Sequence, residues 1–305
     1  MNHVPARHGY RRSVRSGQPL TIWLNYQPPL HWPSLLGFFA ARCISGIETV
    51  QAGVYARTLV LHGRHAVIQV SPAHGHRLKL TVFGVPPAAL PSLIAKVRRV
   101  FDLDAPTAAI EAHLGHDPLM ARLLAARPGL RVPQGWDSFE QAMRTVLGQQ
   151  ISVAGAMTLA ARLVLRYGRP LSSPVADAQG LTHVFPVPAA LVDEDLSVLG
   201  MPRSRARTLS TMARALLDDP QLLSPTADLA GWAKRLCQLP GIGPWSAQYL
   251  ALRQLGAGDA MPSSDLVLIK ALRLLEGPEA QLAERARAWS PWRAYAAQHL
   301  WTSLS

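Results

Sequence analysis

The 305-residue sequence contains only two cysteines, Cys43 and Cys237, far apart along the chain. Two thiols cannot build a disulfide framework, a four-thiolate zinc site or an iron–sulfur cluster, so both read as buried free thiols. No apolar run approaches the roughly 18–20 residues that a bilayer crossing needs. The N-terminus lacks an apolar stretch followed by a small-residue cleavage site. A soluble cytoplasmic protein without a membrane partner is expected. Acidic residues are scarce as well: 19 Asp and Glu stand against 31 Lys and Arg, a formal charge of +12 that is nearly all arginine. The guanidinium fork suits phosphate, so the excess fits a polyanion such as nucleic acid. It fits a solubility device or an arginine-rich codon usage too. No repeat period points to a solenoid.

The patterning that is present divides the chain in two. Residues 1–17 carry Arg7, Arg11, Arg12 and Arg15 without an acid, which predicts a disordered basic tail. From 18 to 104 short alternating runs ("LTIWLNY", "YARTLVL", "AVIQVS", "LKLTVF") predict an antiparallel sheet, with helical spacing in "PSLLGFFAARCISGIETV" and "LPSLIAKVRRVFDLD". From 105 to 305 helical periodicity dominates, including "PAALVDEDLSVLG", and Asp137 with Glu140 reads as a capping box. The Pro/Ser-rich "GRPLSSPVADAQGLTHVFPVP" reads as a long loop. The fold class is therefore α+β: an N-terminal antiparallel sheet domain followed by a helical region.

The segment "QLPGIGPWSAQYLALR", Gln238 to Arg253, is the most informative. Gly241 and Gly243 permit positive φ and close approach by another backbone, and a helix begins directly after them. Neither Gly-Lys-Ser/Thr after the turn nor a strand before it is present, which excludes a Walker loop and a dinucleotide-binding fingerprint. A hairpin of this kind over 238–246 offers backbone N–H groups, with Ser246 in the first turn, to a DNA phosphate. An ordinary corner between two helices is the plain alternative. About twenty residues on, Asp265 heads another helix, where an acid is most often a cap. Asp259 is the competing acid and ranks second, because no helix follows it. His113, His116 and His299 lack companions at metal-ligand spacing and read as structural.

A hairpin followed by an Asp-headed helix resembles the helix-hairpin-helix base-excision glycosylases. Blocks such as "NYQPPLHWPSLLGFFAARCISGIETV", "ARPGLRVPQGWDSFEQAMRTVLGQQISVAGA", "LGMPRSRARTL", "LPGIGPWSAQYLALR" and "PWRAYAAQHLW" resemble, in order, the DNA-3-methyladenine glycosylase II family. The resemblance implies a sheet domain and two helical subdomains with a cleft between them. It implies a monomer in a bacterial-type cytoplasm, associated with the nucleoid, which binds double-stranded DNA and everts an alkylated base. Asp265 is then the catalytic carboxylate that stabilises a cationic sugar. Trp245, Tyr249 and Trp301 line the base pocket, while Trp232, Trp289 and Trp292 pack. Gln150 stands where the family's wedge is an apolar Leu, and Arg203, with Arg205 and Arg207, lies at a helix start within reach of phosphate. Lyase members of the superfamily carry a Lys two residues past the second hairpin glycine; here that residue is Trp245, and no Lys follows until Lys270. This predicts a monofunctional enzyme that uses water. No cofactor is expected beyond a monovalent cation on the carbonyls between Cys237 and Ile242. Excision of another lesion (hypoxanthine, an alkylated pyrimidine, a mismatched base) and binding of DNA without catalysis are the other two readings.

Overall fold

The computed structural model of the chain describes residues 19–171 and 173–304. The basic segment 1–17 lies outside them. Strand β1 (Leu20–Asn25) is followed by α1 (Trp32–Ala40), β2 (Glu48–Gln51), β3 (Val54–Leu61), β4 (Arg64–Ala73), β5 (Arg77–Phe83) and α2 (Leu90–Val100). The five strands form one antiparallel sheet in the order β1-β5-β4-β3-β2. Alternation does what the sequence implies in β1, where Ile22 and Leu24 are buried and Trp23 between them is exposed. One face of the sheet packs on α1 and α2 through Tyr55, Leu59, Leu78, Leu80, Leu93 and Phe101.

The other face of the sheet is covered too, and this corrects the expected long loop. Residues after 168 form β6 (Arg169–Pro170), the single-turn α7 (Pro174–Asp177) and β7 (His183–Val184), a small ribbon in an otherwise helical region. Leu181 and Ala176 bury Ala56 and Val67 of the sheet. Thr58 Oγ1 donates to the His183 carbonyl at 2.7 Å. The segment is ordered because it fills an apolar face, an effect that its Pro/Ser-rich composition conceals. A second correction concerns "PAALVDEDLSVLG", which holds only two 3₁₀ turns, Pro188–Ala190 and Leu196–Leu199.

The helical region comprises α3 (Thr107–Leu114), α4 (Pro118–Ala126), α5 (Ser138–Leu147), α6 (Val153–Tyr167), α8 (Arg203–Asp218), α9 (Leu229–Leu236), α10 (Pro244–Arg253), α11 (Leu266–Glu276), α12 (Leu282–Arg285) and α13 (Arg293–Thr302). They share one apolar core, in which Trp232 and Trp289 are almost fully buried. Side-chain oxygens of Asp117, Asp137, Ser152, Asp228 and Asp265 cap five of them. Cys43 and Cys237 are half-buried rather than buried. Chiefly burial, and then Glu48, pushes the Cys43 thiol up to about 12.

Glu140 does not complete a capping box. Asp137 accepts from the N–H groups of Phe139 and Glu140, but the Glu140 carboxylate turns into the interior. There it pairs with Arg57 of β3 at 2.7 Å and Arg144 of its own helix at 2.8 Å. Glu48 of β2 pairs with both arginines and accepts from Tyr55 Oη at 2.6 Å. Two acids and two arginines thus clamp the sheet to α5. Burial alone would raise the Glu140 carboxyl, yet the two guanidiniums outweigh it and hold it well below its usual value of 4.5.

The hairpin joins α9 to α10. Gly241 has φ +85°, and a Cβ there would stand 2.0 Å from Thr208 Oγ1 of α8. Gly243 differs from expectation: its φ is −105°, and nothing lies within 4 Å of where its Cβ would be. Its lack of a side chain leaves the hairpin's outer side open instead of satisfying a backbone constraint.

Two outcomes follow. Glu140→Ala leaves Arg57 and Arg144 to share Glu48 alone and should cost about 3–5 kcal/mol in urea denaturation. Because the folded carboxyl lies below the unfolded one, Glu140 contributes fully above pH 4.5 and progressively less as pH falls through that value. Glu140→Gln should therefore flatten the acid limb of the stability curve; an unchanged limb would refute the clamp. In the hairpin, Gly241→Ala should cost about 1–3 kcal/mol and Gly243→Ala under about 1 kcal/mol, as read from thermal melts.

Candidate active site

Asp265 follows the loop after α10 and caps α11, so its position is fixed before any ligand is considered. Its Oδ1 accepts from Val267 N at 3.0 Å and Leu268 N at 2.9 Å. The same oxygen accepts from Trp301 Nε1 at 3.3 Å, and Oδ2 accepts from Trp245 Nε1 at 2.9 Å. The carboxylate is 9% exposed, at the edge of a cavity of about 290 Å³. Backbone N–H groups and two indole N–H groups therefore converge on one buried carboxylate, an arrangement that fixes its direction.

Trp245, Tyr249 and Trp301 line the same cavity. Trp245 and Tyr249, one turn apart on α10, stack at 5.1 Å between centroids with 13° between planes. Tyr249 meets Trp301 of α13 edge-on at 6.1 Å and 75°. Phe38 of α1 lines the cavity too, so the sheet domain supplies one wall. Burial would raise the Tyr249 phenol, but the positive charges of Arg253 and Arg42 prevail and lower it. No lysine lines the cavity, and Lys270 is exposed on α11. Asp259 is engaged elsewhere, paired with Arg293 at 2.7 Å and accepting from Ser290 Oγ at 3.0 Å.

The break between α5 and α6 lies at the cavity's rim. Gln150 is exposed there with φ +56°, next to Ile151 and Val153, which line the opening. Its neighbour Gln149 escaped the sequence reading. Gln149 Nε2 donates to the Gly241 carbonyl at 3.0 Å and to Ser246 Oγ at 2.9 Å, while Arg205 Nη2 donates to the Gln149 carbonyl at 2.6 Å. The rim and the hairpin are therefore tied together. Ser246, expected to face DNA, is instead 2% exposed, with its hydroxyl turned to Gln149. Arg203 and Arg207 are exposed at the start of α8. His299 is buried, and its imidazole is pushed down to about 4, mainly by burial. Among the described residues no group of His, Cys, Asp and Glu could hold a metal ion, and no helix is long and apolar enough to cross a membrane.

Three of these residues carried a usable signal. Arg253 is four residues past Tyr249 on the same helical face, and Gln149 adjoins the expected wedge. Arg205 lies in the basic helix start. Phe38 carried none, since only the tertiary fold brings α1 to the cavity.

Comparison with known proteins gives a consistent result. The family model described as the AlkA N-terminal domain matches residues 21–137. DNA-3-methyladenine glycosylase 2 of Escherichia coli K12 is 39% identical over 284 residues, covering 91% of this chain and 95% of that protein. A Mycobacterium tuberculosis H37Rv protein, "probable bifunctional transcriptional activator/DNA repair enzyme AlkA", is 37% identical over 298 residues; the match spans 97% of this chain but only 59% of that relative's length. The solved structure of 3-methyladenine DNA-glycosylase from Archaeoglobus fulgidus superposes with a TM-score of 0.79 at 22% identity, over 93% of this chain and 97% of that one, which shows a shared fold. By its identity to the Escherichia coli enzyme across nearly the full length of both, the chain belongs to the DNA-3-methyladenine glycosylase 2 family.

Proposed function

We propose that the chain is a monofunctional DNA glycosylase that everts an alkylated base of the 3-methyladenine or 7-methylguanine type from duplex DNA and hydrolyses its N-glycosidic bond, a base-excision repair step. The observation that carries this is Asp265, a buried carboxylate oriented by two indole N–H groups at the edge of an aromatic cavity. Breaking the C1′–N bond leaves positive charge on the sugar, and a preorganised carboxylate is complementary to that charge. Stacked rings attract a cationic base by about 0.5–2 kcal/mol.

The leaving group supports the same substrate class. A neutral base ordinarily needs an acid to leave. The other carboxylates lining the cavity, Glu48 and Glu140, are bound to Arg57 and Arg144, and Glu140 is held ionised with no proton to give. A base alkylated at N3 or N7 is already positive and leaves neutral. With Trp245 in the place of a lyase lysine, water is the nucleophile.

Binding on this reading is to double-stranded DNA by a monomer acting at the bacterial nucleoid. The hairpin N–H groups at Gly241 and Gly243, with Arg203, take backbone phosphate, and Gln150 enters the space that the everted base leaves. The carbonyls between Cys237 and Ile242 suit a weakly held monovalent cation. Leu239 and Gly241 there each accept one hydrogen bond and keep a second lone pair.

Asp265→Asn should lower base release from alkylated duplex by about 10² or more while duplex affinity stays within a few-fold. Release at the wild-type rate would contradict the mechanism, and a borohydride-trapped adduct in the wild type would contradict water as nucleophile. Gly243→Ala should weaken binding to damaged and undamaged duplex alike, and the loss should stay constant or shrink as salt rises.

A further inference from the structure

The inner end of the cavity carries a charge opposite to that of Asp265. Arg253 closes α10 and lines the cavity while only 2% exposed. Its Cζ lies 4.6 Å from the ring centroid of Phe38, 5.0 Å from that of Trp301 and 5.6 Å from that of Tyr249. Nη1 donates to the Pro133 carbonyl at 3.0 Å and Nη2 to Gln298 Oε1 at 2.9 Å, while Nε has no acceptor. Among the described residues no carboxylate forms an ion pair with it. Burial brings the guanidinium down to about 10, so it stays positive at neutral pH.

A fixed cation behind the rings has the wrong sign for a pocket whose sole task is to hold a cationic base. Trp301 links the two charges: its indole N–H meets Asp265, and Arg253 lies over one face of its ring. Asp265 adjoins the exposed Leu266 and Val267, whereas Arg253 is sealed behind the rings. Asp265 and Arg253 thus place opposite charges on the lining of one cavity, Asp265 beside exposed residues and Arg253 buried.

We propose that Arg253 is the electrostatic counterpart of Asp265, stabilising the charge that moves onto the departing base and thereby setting the balance between cationic and neutral lesions. The proposal rests on the glycosylase reading. The C1′–N bond breaks heterolytically, its electron pair stays on the base, and the sugar becomes cationic. Water then adds to C1′ and releases its proton to solvent. An alkylated cationic base leaves neutral, and a neutral base such as hypoxanthine leaves as an anion that takes a proton from water. In both cases the base gains one unit of negative charge near Arg253 while the sugar gains one positive unit near Asp265. The two lesions differ before the bond breaks: Arg253 repels a cationic base in the bound state and leaves a neutral one unaffected. At about 10 Å and an effective dielectric of about 20, such a charge is worth roughly tenfold in an equilibrium.

The test compares Arg253→Met and Arg253→Lys with the wild-type full chain on two duplexes, one containing 7-methylguanine and one containing hypoxanthine. Single-turnover release is measured on the natural sugars. Affinity is measured on 2′-fluorinated sugars, which resist cleavage. Arg253→Met should slow hypoxanthine release about tenfold with its duplex affinity unchanged, and should tighten binding of the 7-methylguanine duplex severalfold. Arg253→Lys should restore wild-type behaviour in part. Equal changes for both lesions in both measurements would reduce Arg253 to a structural prop and overturn the proposal. If Arg253→Met fails to melt cooperatively, Arg253→Gln, which keeps a polar contact to Gln298, makes the same comparison. Absence of release by the wild type from either duplex would refute the glycosylase reading, and this proposal with it.

Discussion

The site depends on four donors converging on one carboxylate. Two are the first backbone N–H groups of α11, and two are the indole N–H groups of Trp245 and Trp301. One side chain thereby fixes the start of a helix, the entry of the hairpin helix and the C-terminal helix relative to one another. The cap that makes Asp265 an ordinary helix start is also what aims it. Its hydrogen-bond partners are neutral dipoles rather than a cation, so no ion pair competes with a developing positive centre for the carboxylate.

The surrounding structure serves to hold that geometry. The Glu48–Arg57–Glu140–Arg144 clamp joins the sheet to α5, and α5 leads directly into Gln149 and Gln150 on the cavity rim. Gln149 passes the link to the hairpin through Gly241 and Ser246. The sheet domain is therefore part of the site: Phe38 forms a cavity wall, and the clamp sets the helix that carries the rim. Buried charge recurs in two forms. The clamp is compensated within itself, whereas Arg253, which lines the cavity, has no carboxylate ion partner among the described residues.

Much of this was legible in the sequence, for identifiable reasons. Strand alternation marks a sheet with one solvated strand face, as at Trp23, and helical spacing marks α5, α8 and α10. Asp265, Trp245, Tyr249 and Trp301 could be named in advance because short motifs keep their order, and the structure gathers all four around one cavity. What was hidden depended on contacts between distant segments. Glu140 reads as half of a capping box until Arg57, 83 residues away, claims it. The segment after 168 reads as a loop because its order comes from the sheet face that it covers. Ser246 sits at a helix start, where a hydroxyl usually faces outward, but Gln149 draws it in. Gly243 looks like a second strained glycine beside Gly241, though only one of the pair needs positive φ.

The central claim is that Asp265 and its aromatic surround are built for a cationic sugar. The most direct measurement compares the affinity of the protein for two duplexes, one holding a neutral tetrahydrofuran abasic site and one a cationic pyrrolidine in the same place. The pyrrolidine duplex should bind tighter by about 10² or more, and Asp265→Asn should remove most of the difference. Equal affinity for the two duplexes, or a preference that survives Asp265→Asn, would contradict that claim.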